Sequence, residues 1–224
     1  MGVRSTLFAM GYDRQIAKSE AAGLHARREA LLAGACGDVL EIGAGTGLNI
    51  ALYGPEVASL TLTEPERPML KRLGRRAREV RPDATVLRAP AEDLPFEDGS
   101  FDVVVSTLVL CGVGDQPRAL REVHRVLRPG GELRFLEHVR SDDQRLAHKQ
   151  DRMNVVNRFV VGCDCNRATL QTIAESGFAL DHVEQGTMPK VFAFVRPLVT
   201  GTAHSIAGRR FPARDARTTT SRPA

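Results

Sequence analysis

A short apolar run leads directly into three glycines at residues 39–47 (VLEIGAGTG), and this pattern limits the choice of fold. An apolar run that glycines bring to an end is typical of a buried strand, so we predict a strand over 38–42 that ends in a tight loop. In open α/β sheets, ligands bind beyond the carboxyl ends of the strands, close to such loops. The run therefore predicts a ligand-binding glycine loop.

Strand-like and helix-like segments alternate along most of the chain. Apolar or alternating runs predict strands at 38–42, 58–63, 84–89, 101–107, 132–139, 178–184 and 190–203. Helical spacing of apolar residues predicts helices at 5–34, 47–54, 66–80, 116–128 and 167–176. This alternation is typical of α/β proteins, so we expect a single doubly wound, Rossmann-like sheet with helices on both faces.

One domain is expected over residues 1–204, because no linker or internal repeat interrupts the pattern. Within it, residues 1–34 form a predicted N-terminal helical cap. Residues 140–165 are polar and irregularly patterned, and they are interpreted as a substrate lid, since loops on a rigid scaffold often carry specificity. Residues 205–224 form a basic tail with few large apolar side chains, which we expect to be disordered.

Charge and cysteine content exclude several classes of partner. The net charge is +4, and the tail accounts for all of it, so the rest of the chain lacks the basic track that nucleic acid requires. The four cysteines include no CxxC pair, so no metal site is expected, and reduced thiols favour a cytoplasmic location. No apolar stretch approaches the ~20 residues of a membrane span, so none is predicted.

The glycine spacing discriminates between two kinds of ligand. A dinucleotide loop reads GxGxxG, whereas this loop reads GxGxG and has Leu48 where the third dinucleotide glycine would stand. Glu41, two residues before the first glycine, would repel a pyrophosphate but would suit a cofactor with a positive amino group and a sulfonium. The loop thus favours S-adenosylmethionine over a nicotinamide cofactor. The alternative is a structural glycine turn with Glu41 on a solvated strand end.

A second acid, Glu64, ends the predicted strand 58–63. A carboxylate at this position can accept hydrogen bonds from both ribose hydroxyls, as the acid about 20 residues past a dinucleotide loop does. The alternative is a solvent-facing residue ahead of Pro65. Together with the glycine loop, the pattern favours ribose binding.

Three motifs stand in order along the chain, namely VLEIGAGTG at 39–47, LPFEDGSFDVVVS at 94–106 and EVHRVLRPGGEL at 122–133. Over roughly residues 10–203, the chain resembles the class I S-adenosylmethionine-dependent methyltransferases of the ubiquinone/menaquinone-methyltransferase-like superfamily. This resemblance implies a seven-stranded sheet whose last strand is antiparallel. It also implies S-adenosylmethionine as the methyl donor.

Shorter segments narrow the resemblance within this superfamily. The chain is similar to the alkyl thiol methyltransferases at 107–113 (TLVLCGV), 136–139 (LEHV), 162–167 (GCDCNR) and 195–201 (VRPLVTG). Bacterial phospholipid N-methyltransferases share some of these features. The thiol enzymes carry an N-terminal membrane anchor that this chain lacks, and this departure argues against a membrane-bound role.

The resemblance also assigns residues to the cofactor. The residues that match the family's cofactor loop and ribose site are Glu41, Gly43, Ala44, Gly45, Gly47, Glu64 and Pro65. Thr107 and Leu108 would border the methionine half of the cofactor. Tyr12 lies in a YDR segment that in many relatives folds over the cofactor.

The adenine contact departs from the pattern of the family. Ala91 and Glu92 lie where the adenine edge is read, and many relatives place an aspartate just before this alanine. Here Pro90 stands in that position, and it cannot accept a hydrogen bond from the adenine amino group. Glu92 or backbone atoms would have to accept it.

Methyl transfer from a sulfonium is an in-line displacement, so alignment of the reactants supplies much of the rate. A base is needed only where the acceptor arrives protonated. His138 is our candidate base, because it ends the predicted strand 132–139 at the ligand edge and an imidazole titrates near neutral pH. The alternative is a histidine that only caps the strand. Cys111, Cys163 and Cys165 either line the acceptor pocket or pack as small apolar residues.

The sequence thus leads to a methyltransferase that acts on a small molecule, with a thiol as one candidate acceptor. A phospholipid or a quinone-type acceptor is the alternative within the same class. A nicotinamide-dependent oxidoreductase and a catalytically silent cofactor-fold protein are the alternatives from other classes. The oligomeric state and the acceptor atom stay open, because the fold alone does not fix them.

Overall fold

The computed structural model describes residues 3–206, and it describes the side chains of this range except at 3–10 and 159–161. Most of the tail at 205–224, for which we expect disorder, lies outside the described residues. Within residues 3–206, no helix is long and apolar enough to cross a membrane.

Seven strands form one sheet in the order β3-β2-β1-β4-β5-β7-β6. Their bounds are β1 Gly37–Ile42, β2 Val57–Thr63, β3 Thr85–Leu87, β4 Phe101–Thr107, β5 Leu127–His138, β6 Phe178–Thr187 and β7 Pro197–Ser205. Strand β7 runs antiparallel to both of its neighbours, whereas β1 to β5 pair in parallel. The predicted sheet is therefore confirmed, including its antiparallel last strand.

Helices cover both faces of the sheet, as predicted. Their bounds are α1 Val3–Ser19, α2 His25–Leu32, α3 Arg67–Val80, α4 Gln116–Val126, α5 Gln144–Val161 and α6 Thr169–Glu175. Because successive strand residues point to opposite faces, Val39 joins the core that contains Leu73 of α3, while Leu40 joins the core that contains Leu120 of α4.

The order of the strands reverses between β1 and β4, where neighbouring strands lead to helices on opposite faces. The carboxyl ends of β1 and β4 meet there, with Ile42 opposite Ser106. This switch point is the place where doubly wound sheets bind ligands. The glycine loop after β1 therefore lies at the position that the sequence predicts.

Two helix predictions and one prediction of an irregular segment need correction. Residues 47–54 form turns and one short 3₁₀ turn, Ile50–Leu52, because Gly47 adopts a left-handed φ of 83°. The predicted helix 5–34 is interrupted at the π-helical segment Glu20–Leu24, which holds Gly23 at a φ of 126°. The polar segment 140–165 is largely the helix α5, which Asp143 caps by accepting a hydrogen bond from the Leu146 N–H at 2.8 Å.

Candidate active site

A cavity of about 1140 Å³ lies at the carboxyl ends of the central strands, beneath α1 and α5. Of the residues that the sequence assigns to the site, those that line the cavity are Tyr12, Gly43, Gly45, Glu64, Pro65, Ala91, Glu92, Leu108 and His138. Those that do not line it are Glu41, Ala44, Gly47 and Thr107. The structure therefore brings most of the predicted residues together around one cavity, whereas four of them lie outside its lining.

Left-handed backbone conformations, and close packing at Gly43 and Gly47, restrict the loop to glycine at these three positions. Gly43 has a φ of 55°, and a Cβ added there would lie 2.7 Å from Cγ1 of Val109. Gly45 has a φ of 59°, and the nearest atom to an added Cβ would be the Gly43 oxygen at 3.9 Å. Gly47 instead packs against Ile50, whose Cδ1 would lie 2.6 Å from an added Cβ. The first two glycines shape the cavity, and the third allows the loop to pack on the core.

Glu64 connects the end of β2 to the glycine loop. Its Oε2 accepts a hydrogen bond from the Gly45 N–H at 2.9 Å, and its Oε1 accepts one from the Glu66 N–H at 2.8 Å. Burial raises the pKa of this carboxyl, while the two backbone donors act in the opposite direction. Each oxygen keeps a lone pair for a further donor, so the side chain can also accept from ligand hydroxyls.

Glu41 has a different environment from the one that the sequence suggests. Its side chain is only 2% exposed, and it accepts hydrogen bonds from Asn49 Nδ2 at 2.9 Å and from the Tyr53 hydroxyl at 2.7 Å. Burial raises the pKa of Glu41 to about 7. The carboxyl group therefore lies behind the loop among protein donors, and it is not on a solvated strand end.

A buried arginine, Arg28, belongs to the same network and was missed from the sequence. Its Nη1 donates to Asn49 Oδ1 and to Thr107 Oγ1, each at 3.0 Å, and its Nε donates to Glu20 Oε1 at 3.1 Å. Thr107 thus acts as an acceptor for Arg28 behind the cavity wall. The sequence gives no signal for this role, because Arg28 stands beside Arg27 in a helix of ordinary polar composition.

The turn after β4 is strained and is held from behind. Leu108 lines the cavity at a φ of 60°, a region that non-glycine residues rarely adopt. The buried carboxylate of Glu137 accepts hydrogen bonds from Ser106 Oγ at 2.7 Å and from the Val109 N–H at 3.0 Å. Burial raises the pKa of Glu137. The sequence signal that could have identified Glu137 is an acidic residue in the otherwise apolar end of a predicted strand.

The predicted adenine end of the cavity contains a further structural carboxylate. Oε1 of Glu92 accepts a hydrogen bond from the Gly114 N–H at 2.7 Å, and Pro90 and Ala91 also line the cavity. Glu92 therefore fixes the loop before α4 as well as facing the cavity. Its other oxygen can accept a hydrogen bond from an amino group.

The N-terminal helix is attached to the glycine loop through Asp13. Thr46 Oγ1 donates to Asp13 Oδ1 at 2.5 Å, and Arg76 Nη2 of α3 donates to Asp13 Oδ2 at 3.2 Å. The neighbouring Tyr12 lines the cavity, and burial raises its pKa to about 12. Helix α1 thus covers one side of the cavity and presents a phenol that stays protonated.

His138 lies at the end of β5 and lines the cavity. The residue is 6% exposed, and its Nδ1 has no hydrogen-bond partner among the described residues. Burial lowers the pKa of His138 to about 4, so the imidazole is neutral at physiological pH. A neutral imidazole has one ring nitrogen that can accept a proton or a hydrogen bond.

The far side of the cavity is mostly apolar. Helix α5 contributes Met153, Val156 and Asn157, and the segment 188–195 contributes Met188, Lys190, Val191, Phe192, Phe194 and Val195. Cys111 and Cys163 also line the cavity, whereas Cys165 packs in the interior. Within the part of the chain that the structure describes, no group of three or more His, Cys, Asp or Glu could hold a metal ion.

Comparison with known proteins agrees with this geometry. Residues 40–135 match the family model described as a methyltransferase domain. The chain is 33% identical to the human thiol S-methyltransferase TMT1A over 171 residues, which cover 74% of this chain and 69% of the relative. It is also 35% identical to the phosphatidylethanolamine N-methyltransferase of Cereibacter sphaeroides, over 50% of this chain and 55% of that protein.

Solved structures show the same fold. The structure of an S-adenosylmethionine-dependent methyltransferase from Thermotoga maritima superposes with a TM-score of 0.67 at 23% identity, and it covers 89% of this chain and 96% of that chain. Relatives above 30% identity, the seven-stranded sheet and the glycine loop at its switch point lead to one assignment. The chain belongs to the class I S-adenosylmethionine-dependent methyltransferases, with S-adenosylmethionine as its cofactor.

Proposed function

We propose that the protein transfers a methyl group from S-adenosylmethionine to the sulfur of a small apolar thiol. The observation that carries this proposal is the composition of the cavity wall formed by α5 and segment 188–195. Among the described residues that line it there, none is acidic, and most are methionine, valine or phenylalanine. A protonated amine would lack a carboxylate partner on this wall, whereas a thiol or thiolate needs none.

The order of the strands supports the division of the cavity into two ends. Glu64 follows β2 on one side of β1, whereas His138 ends β5 on the other side. A cofactor that spans the glycine loop would therefore point its reactive end toward β4 and β5. The apolar wall and His138 lie at this end, so we place the acceptor there.

The residues at the other end fit the cofactor. Gly45 leaves open space where a side chain would intrude, and the Glu64 carboxylate has free lone pairs for the ribose hydroxyls. Ala91 and Glu92 would face the adenine, while Leu108 and Tyr12 would border the methionine part. When bound, the cofactor supplies an activated methyl group.

Glu41, Ala44, Gly47 and Thr107 would act indirectly. Ala44 donates its N–H to the Thr63 oxygen at 2.8 Å, and Gly47 donates to the Ala44 oxygen at 2.9 Å. These bonds and the network of Glu41 and Thr107 fix the shape of the loop. We therefore propose that these four residues position the loop and do not touch the cofactor.

His138 is proposed to remove the proton of the acceptor. A base with a pKa of about 4 cannot ionise a free thiol, because a thiol of pKa ~8.5 would hold its proton far more tightly. A thiol becomes strongly acidic, however, as its sulfur forms the new bond to carbon. The neutral imidazole can therefore accept the proton during the transfer itself.

An acceptor series of matched shape tests the proposal. Hexanethiol, hexylamine and hexanol would each be incubated with the protein and S-adenosylmethionine, and the release of S-adenosylhomocysteine would be measured. We expect turnover with the thiol and almost none with the amine or alcohol. Turnover with hexylamine or with phosphatidylethanolamine vesicles in preference to the thiol would overturn the choice of acceptor.

The cellular context of this activity is part of the proposal. All four cysteines are free thiols in the structure, which suits a reducing compartment such as the cytoplasm. A small-molecule acceptor suits a cavity of about 1140 Å³. A nucleic-acid acceptor would instead need a basic surface around the cavity mouth.

A further inference from the structure

Two cysteines from distant parts of the sequence line the same cavity. Cys111 belongs to the turn after β4, and Cys163 lies just past the end of α5. The Asp164 N–H donates to the Cys111 oxygen at 2.8 Å, and a Cβ added to Gly112 would lie 3.3 Å from the Gly162 oxygen. The two backbone segments are therefore in direct contact at these cysteines.

The surroundings of the thiols set their order of reaction. Cys163 is 8% exposed and Cys111 only 1% exposed, and both face a cavity that small solutes can enter. A hydrogen bond with Cys163, together with burial, raises the pKa of Cys111 well above its ordinary value. Asn157 Nδ2 donates to the Cys163 oxygen at 2.6 Å and fixes that residue beneath α5. Cys163 is thus the thiol that an incoming reagent meets first.

The other two cysteines are placed differently. Cys36 is exposed and precedes β1, so it lies at the amino ends of the strands, away from the cavity. Cys165 is fully buried, and burial raises its pKa to about 11. Neither residue lines the cavity.

We infer that Cys111 and Cys163 form a dithiol site that reacts with low-molecular-weight disulfides and closes to an intramolecular disulfide. In the first step, the Cys163 thiolate attacks one sulfur of the disulfide RSSR, a new S–S bond forms, and RS⁻ leaves. In the second step, Cys111 loses its proton to solvent and attacks the Cys163 sulfur, and a second RS⁻ leaves. The two cysteines are oxidised, and RSSR is reduced to two thiols.

The bond would affect access to the cavity. It would link the turn after β4 to the end of α5, and both elements line the cavity. A covalent link between them would prevent α5 from moving aside for an acceptor. This consequence rests on the proposed function, whereas formation of the bond does not. Since the released products are thiols, the proposed acceptor class would itself reopen the site by reduction.

The test uses the full chain with Cys36→Ser, which removes the exposed competing thiol and leaves the cavity unchanged. The protein would be incubated with oxidised glutathione, alkylated with iodoacetamide and mapped by mass spectrometry. We expect a peptide of the Cys111 segment linked to one of the Cys163 segment, with fragmentation that assigns the bond to Cys163. The additional change Cys165→Ser should leave this link intact, and Cys163→Ser should abolish it.

Measurements of turnover and of cofactor binding distinguish formation of the disulfide from its effect on access to the cavity. The initial rate of the linked protein with hexanethiol, measured before this thiol reduces the bond and with the bond verified by mass spectrometry at the end of the assay, should be about tenfold or more below that of the reduced protein, and dithiothreitol should restore it. Binding of S-adenosylhomocysteine should persist, because the cofactor end is not linked. Two unmodified cavity thiols, or a bond that involves Cys165, would overturn the dithiol site. Full turnover of the linked protein would overturn the effect on access. If the bond forms but the reduced protein does not methylate hexanethiol, only the proposed function is contradicted.

Discussion

Replacing Glu41 with glutamine would preserve the size of a buried side chain while removing its ionisation. Burial raises the pKa of Glu41 from 4.5 to about 7 in the folded protein. A carboxyl group with a raised pKa stabilises the folded state fully below its unfolded pKa, and this contribution is lost as the pH rises through the folded pKa. Between pH 4.5 and pH 8, the wild-type protein should therefore lose stability relative to Glu41→Gln.

The size of this loss follows from the two pKa values. A rise from 4.5 to about 7, at about 1.4 kcal/mol for each pH unit, corresponds to about 3 kcal/mol. The amide also changes the hydrogen bonds, because Tyr53 must accept from its NH₂ while Asn49 still donates to its oxygen. That change is the same at every pH. The measured quantity is the difference in the free energy of unfolding between the two proteins. When this difference at one pH is compared with that at another, the effect of the altered hydrogen bonds cancels, as does the titration of all other groups.

Urea-induced unfolding of both proteins at pH 4.5 and pH 8 measures the effect. The free energy of unfolding of the variant, relative to wild type, should increase by about 3 kcal/mol over this range. Calorimetric affinity for S-adenosylhomocysteine should stay the same, because Glu41 does not line the cavity. Parallel pH dependence in the two proteins would refute a buried carboxyl with a raised pKa. A large loss of affinity would show that the charge of Glu41 contributes to cofactor binding.

Three further substitutions test other parts of the site. Glu64→Gln should weaken S-adenosylhomocysteine binding by about 1–3 kcal/mol in calorimetry, through loss of charge-assisted hydrogen bonds; an unchanged Kd would remove Glu64 from the site. His138→Ala should lower kcat with saturating thiol by about 100-fold, and the wild-type pH profile should show no inflection near 6.5, because the pKa of His138 is about 4. Gly43→Ala, with a φ of 55° and a Cβ 2.7 Å from Val109, should lower the free energy of unfolding by about 1–3 kcal/mol. Its control, Gly74→Ala in the open middle of α3, should raise it by up to about 1 kcal/mol.

The sheet and the position of the site were predictable because they depend on local patterns. The apolar run at 39–47 fixes both a buried strand and the glycines that end it. In parallel sheets the carboxyl ends of the strands lie at one edge, so the strand pattern alone is enough to place Glu64 and His138 there. Cavity residues whose backbone faces the ligand, such as Gly43 and Gly45, follow from the same argument.

Side-chain direction at the ends of strands was less predictable. Glu41 and Glu64 both look like cofactor acids in the sequence, yet only Glu64 lines the cavity. The difference arises from Asn49 and Tyr53, which donate to Glu41 from a turn that the sequence suggests is helical. A pattern of apolar spacing carries no information about such donors, because they reach Glu41 only after the loop has folded.

The acceptor end depends on elements whose sequence pattern is irregular. Helix α5 has little apolar periodicity, and it forms because Asp143 caps its start and Gly162, at a φ of 78°, allows its end. Its inner side then brings Met153, Val156 and Asn157 against a cavity built from strands far away in sequence. Since the same contact joins Cys163 to the turn that holds Cys111, the helix that completes the acceptor wall is also the one that a disulfide would fix in place. Selectivity for the acceptor and sensitivity to oxidation would therefore change together in variants that shift the end of α5.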